Sequence, residues 1–130
     1  MLKTGILNPQ INSLLARVRH TNSLVIADRG FPFWPTIETI DISLVDGIPS
    51  VLQVLAAIRG NFAIGSVRMA DEFLHHNTPE TIALFARSLE GLTVIHESHE
   101  GAFKPRVPCA IGLIRTADTV PYANMILTSA

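Results

Sequence analysis

Three groups of side chains have the types and spacing to do chemistry. His20 and Asp28 flank a short apolar run, Ser23-Leu24-Val25-Ile26-Ala27. His96, His99 and Lys104 follow a second apolar run, and Tyr122-Ala123-Asn124 stands just before a third. Histidine takes and gives a proton near neutral pH. Carboxylates and amides hold hydroxyl groups. The set therefore suits proton shuttling on a hydroxyl-rich ligand, and it needs neither metal nor cofactor. Each group stands at the edge of an apolar run, where functional side chains collect.

The same residues have plainer readings. His20 at a helix end also caps carbonyls, and Asp28-Arg29-Gly30 also reads as a turn. His75-His76 reads as a solvated approach to a helix. His96 and His99 are neighbours if their segment is helical, whereas His96 ends a strand if it is not. A zinc site asks for a third ligand in ordered spacing. In the His-Glu-x-x-His pattern, Glu97 follows His96 but the next histidine comes one residue early, so no metal is expected. Cys109 lies among apolar residues and reads as core packing. No glycine-rich phosphate loop occurs, so nucleotide binding has no support. The aromatic loop Phe31-Pro32-Phe33-Trp34-Pro35 either covers the apolar face of a sugar or packs on another subunit.

These groups need a scaffold, and its size follows from the composition. A length of 130 residues gives one domain, 1–130. A net charge of −1 implies no basic face for nucleic acid. Charged residues are only 16%, against a usual figure of about 25%. So few charges cover little surface, which points to an oligomer with buried interfaces. A single cysteine excludes a disulfide framework and fits a reducing, cytoplasmic setting. Asn8, Pro9, Gln10 and Asn12 interrupt any signal-peptide stretch. No apolar run reaches the ~18 residues of a membrane helix.

Asn8-Pro9 predicts a helix start, with Ile11, Leu14, Leu15 and Val18 as its apolar face. Strands are expected over Ser23–Ala27, Thr36–Ile42, Phe62–Met69, Leu92–Ile95, Cys109–Ile114 and Met125–Leu127. A second helix is expected from Gly47-Ile48-Pro49 to Gly60. A third begins at Asn77-Thr78-Pro79-Glu80 and stops at Gly91. Ser98–Lys104 reads as short helical or irregular. Strands alternating with helices give an α/β sheet, mostly parallel, with helices on both faces. Ligands of such sheets sit at the carboxyl ends of strands, where Asp28 falls.

A run of short matches carries a resemblance along essentially the whole chain. It includes Thr4-Gly5-Ile6-Leu7-Asn8, His20-Thr21, Leu24-Val25-Ile26-Ala27-Asp28, Gly47-Ile48-Pro49-Ser50 and His76-Asn77. It continues with His99-Glu100, Phe103-Lys104, Ile114-Arg115-Thr116 and Pro121-Tyr122-Ala123-Asn124. This ordered set resembles the D-ribose pyranase and L-fucose mutarotase family, nearer the pyranase branch. The resemblance implies a three-layer α/β/α sandwich with a mostly parallel mixed sheet of about six strands. It implies a homo-oligomer, a decamer or an octamer, with sites between subunits, a free monosaccharide as ligand and no cofactor. His20 would be the acid–base group. Asp28, His99, Tyr122, Ala123 and Asn124 would bind sugar hydroxyls, with Lys104 a further contact. Either pyranose and furanose forms of an aldose such as D-ribose are exchanged, or the anomers of an L-fucose-like sugar. A non-catalytic sugar-binding oligomer of the same fold is the reading from another class.

The chain departs from the family pattern in four places. Arg19 and Arg29 replace small residues beside His20 and Asp28. One extra residue separates His99 from Lys104, and Ala117-Asp118-Thr119 replaces the usual Gly-Glu-Cys. An arginine beside Asp28 either pairs with it or recruits an anionic sugar.

Overall fold

The computed structural model describes residues 1–3 and 5–130. Helix α1 (Pro9–Arg17) starts where the sequence places it: the Asn8 side chain accepts the Ile11 amide at 3.0 Å, and Pro9 takes the first helical position. Strand β1 is Ser23–Ala27 and β2 is Glu38–Asp41. Helix α2 (Val51–Arg59) begins later than Gly47. Its cap is Ser50, which accepts the Gln53 amide at 3.1 Å while the Gln53 side chain accepts the Ser50 amide at 2.9 Å. Gly47, at φ +81°, belongs to the preceding turn.

Strand β3 (Ile64–Ala70) leads into α3 (Glu72–His76), a helix that the reading of His75-His76 as a solvated approach did not contain. Helix α4 (Pro79–Ser88) is capped by Thr78, and Gly91 turns the chain at φ +81°. Then come β4 (Thr93–Glu97), a π-helix (His99–Phe103), α5 (Lys104–Arg106) and a 3-10 turn (Val107–Cys109). Strands β5 (Gly112–Arg115) and β6 (Met125–Ser129) complete the sheet. Cys109 is a correction. It is exposed and outside the sheet, because Pro105 and Pro108 hold the segment in tight turns and the strand begins only at Gly112.

The sheet order is β2-β5-β1-β6-β3-β4. Strand β6 runs antiparallel to both neighbours, β1 and β3, while the other paired strands are parallel. The expected mostly parallel mixed sheet is therefore present. One face packs under α1, α2, α3 and α4 through Leu14, Leu55, Ile58, Phe73 and Phe85, against Leu24, Ile26, Met69 and Leu127. Alternate residues of the same strands, Val25, Ala27, Leu113 and Ile126, form a second core with Phe31, Phe103 and Val107. That outer layer is thin, made of the π-helix, α5, the 3-10 turn and the aromatic loop. On the thick side, a Cβ at Gly112 would meet Leu14 Cδ1 at 2.7 Å. Glycine there lets α1 press directly onto β5.

Candidate functional site

Strand β1 ends at Ala27, so Asp28 leaves the sheet at its carboxyl end. Strand β6 is antiparallel to β1, so the residues just before it arrive at that same end. Asn124 thereby meets Asp28 across 96 residues of sequence. Its Oδ1 accepts the Asp28 amide at 2.7 Å, and its Nδ2 donates to Asp28 Oδ2 at 3.0 Å. The Gly30 amide donates to Asp28 Oδ1 at 2.9 Å. Burial pushes the Asp28 carboxyl above its ordinary 3.8, and nearby Asp118 pushes the same way. The Asn124 and Gly30 bonds and the His99 ring offset part of that rise.

Strand β4 is parallel to β3, and its carboxyl end delivers His99 to the same pole. His99 opens the π-helix, an element that recurs at functional sites. It is 9% exposed, stacked on Phe103 and edge-on to Phe31. Burial holds its ring below the ordinary 6.5, Lys104 adds to this, and the carboxylates of Glu100, Glu72 and Asp28 oppose it. Among the described residues its Nδ1 is buried without a hydrogen-bond partner, while Nε2 lies 3.9 Å from Glu100 Oε1.

Tyr122 stands between two imidazoles. Its ring is edge-on to His99 at 5.1 Å and tilted against His76 at 5.1 Å. Its φ is +57°, an unfavourable conformation for a bulky residue that costs of order 1–3 kcal/mol where it occurs. Asn77 Nδ2 donates to the Pro121 and Phe73 carbonyls, each at 2.9 Å, tying this turn to α3. Ala123 is fully buried. Lys104 Nζ pairs with Glu100 Oε1 at 2.6 Å beside His99.

Asp28, His99, Tyr122, Ala123 and Asn124 thus gather at one pole, with Lys104 at its rim. His20 does not join them. It is exposed and precedes the amino end of β1, and five strand residues, roughly 16 Å, separate the two ends. His96 lies within β4 and lines an apolar cleft with Phe73 and Phe85. Among the described residues no group of three or more His, Cys, Asp or Glu is placed to hold a metal. Arg29 pairs with Asp46 at 2.6 Å, which leaves Asp28 to Asn124. In the aromatic loop Phe31 is buried beneath His99 and Phe33 is exposed.

Reading the chain alone missed Glu72. Both of its carboxylate oxygens accept the His99 amide, at 3.0 and 3.2 Å, so α3 fixes the start of the π-helix. The signal is its position two residues after β3, at the end where ligands of such sheets collect. Asp118 was counted only as a departure. It is 5% exposed, with Oδ2 accepting the Val51 amide at 2.8 Å at the start of α2 and Oδ1 accepting the Val120 amide at 2.8 Å.

A small α/β domain with a carboxylate, an imidazole, a phenol and an amide gathered at the carboxyl pole of its sheet defines a class, and the comparisons with known proteins make it specific. Residues 1–130 match the model of the RbsD / FucU transport protein family, and the chain belongs to that family. It is 40% identical over 129 residues to the D-ribose pyranase of Geobacillus kaustophilus, covering 99% of this chain and 93% of that protein. The D-ribose pyranase of Staphylococcus haemolyticus is 36% identical, with 99% and 97% covered. The structure of Bacillus subtilis RbsD complexed with D-ribose superposes with a TM-score of 0.92 at 34% identity, covering 100% and 98% of the two chains. The fucose mutarotase of Streptococcus pneumoniae in complex with L-fucose shares the fold, with a TM-score of 0.82 at 21% identity and 99% and 98% covered.

Proposed function

We propose that this chain is a cofactor-independent sugar isomerase that interconverts the pyranose and furanose forms of a free aldose, with D-ribose as substrate. One observation carries the reading. In a chain whose relatives are named D-ribose pyranase, Asp28, His99, Tyr122 and Asn124 converge at one pole although they lie up to 96 residues apart.

The exchange needs only proton movements. A base takes the proton of the anomeric hydroxyl, the bond from C1 to the ring oxygen breaks, and an acid protonates that oxygen. The open aldehyde is then attacked at C1 by another hydroxyl, which gives up its proton as the carbonyl oxygen regains one. Composition is unchanged and no electrons leave the sugar. His20 is the acid–base group in this scheme, and a positioned group of this kind contributes about 10²–10⁴-fold. Asp28 accepts from sugar hydroxyls, His99 hydrogen-bonds to them, and the Tyr122–Asn124 turn and Lys104 complete the contacts. His20 and Asp28 of one copy stand at opposite ends of β1, so the working site is assembled from two copies in a decamer or octamer. The exposed free thiol of Cys109 suits the cytoplasm. No helix among the described residues is long and apolar enough to cross a membrane.

Saturation-transfer NMR on D-ribose at equilibrium tests the proposal. Irradiating a β-pyranose anomeric signal should deplete the β-furanose signal faster with protein than without, and His20→Ala should abolish the gain. Enhancement with L-fucose alone would favour a mutarotase. Calorimetric sugar binding with no enhancement for any aldose would leave a sugar-binding protein. The Arg29–Asp46 pair weakens that last reading, since Arg29 does not neutralise Asp28.

A further inference from the structure

Helix α3 and the residue that follows it touch the carboxyl pole at three points. Glu72 accepts the His99 amide at 3.0 and 3.2 Å. Asn77, just past the helix, donates to the Pro121 carbonyl at 2.9 Å. Between them, the His76 ring lies 5.1 Å from the ring of Tyr122. Glu72 and His76 are four residues apart, so they share one side of the helix. Phe73 is turned into the core instead, where it meets Phe85 at 4.7 Å. Ring exchange itself asks nothing of His76, yet the fold sets it against a residue of the sugar site.

Tyr122 is held from two sides. Its backbone stands at φ +57°, in the turn that leads into β6. His99, which is buried, meets the phenol edge-on at 83°. His76, which is exposed, meets it tilted at 41°. Both centroid separations, 5.1 Å each, fall within the range of favourable ring pairs, about 4.5–7 Å. A phenol with a ring on each side has few rotations open to it. An imidazole suits the outer place, because it offers a flat face to the phenol and keeps a polar edge for water.

We propose that His76 is a positioning residue of the sugar site: packed against Tyr122, it holds the phenol where a sugar hydroxyl can meet it. The proposal rests on the isomerase reading. His76 acts through Tyr122 and touches no reacting atom. A phenol already held loses little rotational freedom when the sugar arrives, so the benefit appears in affinity. Proton transfer belongs to His20, so turnover at saturating sugar does not depend on His76.

Tyr122 is the single tyrosine of the chain, so isotope-labelled tyrosine gives one set of ring signals by NMR. In the full chain, His76→Ala should move those signals. It should also weaken D-ribose binding in calorimetry, and raise KM for ring exchange, by roughly three- to tenfold with kcat unchanged. His76→Phe keeps a ring against the phenol and should restore affinity and KM. His75→Ala, at the exposed neighbour, should change none of these. Four results would overturn the proposal. The first is Tyr122 signals that stay in place in His76→Ala. The second is unchanged affinity with a lower unfolding midpoint, the mark of a purely structural contact. The third is loss of kcat instead of affinity. The fourth is weak binding that His76→Phe does not rescue, which would mean that the imidazole nitrogens meet the sugar directly. Wild-type protein that binds D-ribose without exchanging its ring forms would bring down the isomerase reading alone, since the tyrosine signals and the calorimetry still decide for or against His76.

Discussion

Asn124 grips Asp28 on two sides, accepting its backbone N–H at 2.7 Å and donating to its carboxylate at 3.0 Å. The amide thus fixes both the direction in which the chain leaves β1 and the rotation of the carboxyl group. A side chain held on two axes is presented to a ligand at little further entropy cost.

Asn124→Ala should remove both bonds and leave a half-buried carboxylate short of a donor. Loss of such a partner costs about 1–3 kcal/mol. Urea unfolding should show a lower midpoint with an unchanged slope, and sugar affinity should fall by roughly tenfold or more. Unaltered affinity would mean that Asp28 is oriented by Gly30 alone.

Glu72 should act on the sugar only through His99. Glu72→Ala frees the His99 amide and loosens the π-helix start, raising KM for ring exchange by roughly tenfold. Glu72→Gln retains one acceptor and should recover most of the loss. A purely structural role would instead lower stability in both variants while KM stayed constant.

The pH dependence of stability has a definite sign. Burial depresses His99 below 6.5 in the folded protein, so folding disfavours its protonation. Its contribution is fully present above pH 6.5 and is lost as pH falls through the depressed folded value. Asp28 works the other way: its raised value means its contribution is present below 3.8 and lost as pH rises through the folded value. Thermal unfolding between pH 7 and 5 should show the His99 component, and His99→Gln should flatten the curve there.

Complementation between variants checks the two-copy site. His20→Ala and Asp28→Asn should each be inactive alone. Unfolded together and refolded as mixed oligomers, they should regain part of the exchange activity, because some interfaces then pair an intact His20 with an intact Asp28. Mixtures that stay inactive while assembling normally would place both residues in one copy's site.

Much of the fold was legible because its signals are local. Asn8-Pro9 starts α1, Thr78-Pro79 starts α4, and the run Ser23–Ala27 is β1 to the residue. Short elements carry too few residues for a period to emerge, so α3 was missed and the segment around Cys109 was drawn into the sheet. The polar residues before β6 were visible in the chain, but their meeting with Asp28 was not, because it depends on one strand running against the rest. Glu72 escaped because it serves a backbone amide, and no side-chain pattern in the sequence announces such a bond.

Gly112→Ala should be costly although its backbone is ordinary. The new methyl would meet Leu14 Cδ1 at 2.7 Å and Leu14 Cδ2 at 3.2 Å. Overpacking of this kind typically costs about 1–3 kcal/mol, readable as a lower unfolding midpoint. A shift below a few tenths would show that α1 slides freely on β5.

The place of β6 also governs the order in which the molecule can be completed. Strands β2, β5 and β1 form one ribbon and β3 with β4 another, and only β6 bridges them. It is also the last strand in chain order. A nascent chain emerging from the ribosome can therefore build two separate half-sheets before β6 is free to join them. The turn carrying Tyr122 and Asn124 feeds directly into β6, so the meeting of Asn124 with Asp28 and the closure of the sheet arrive in one step.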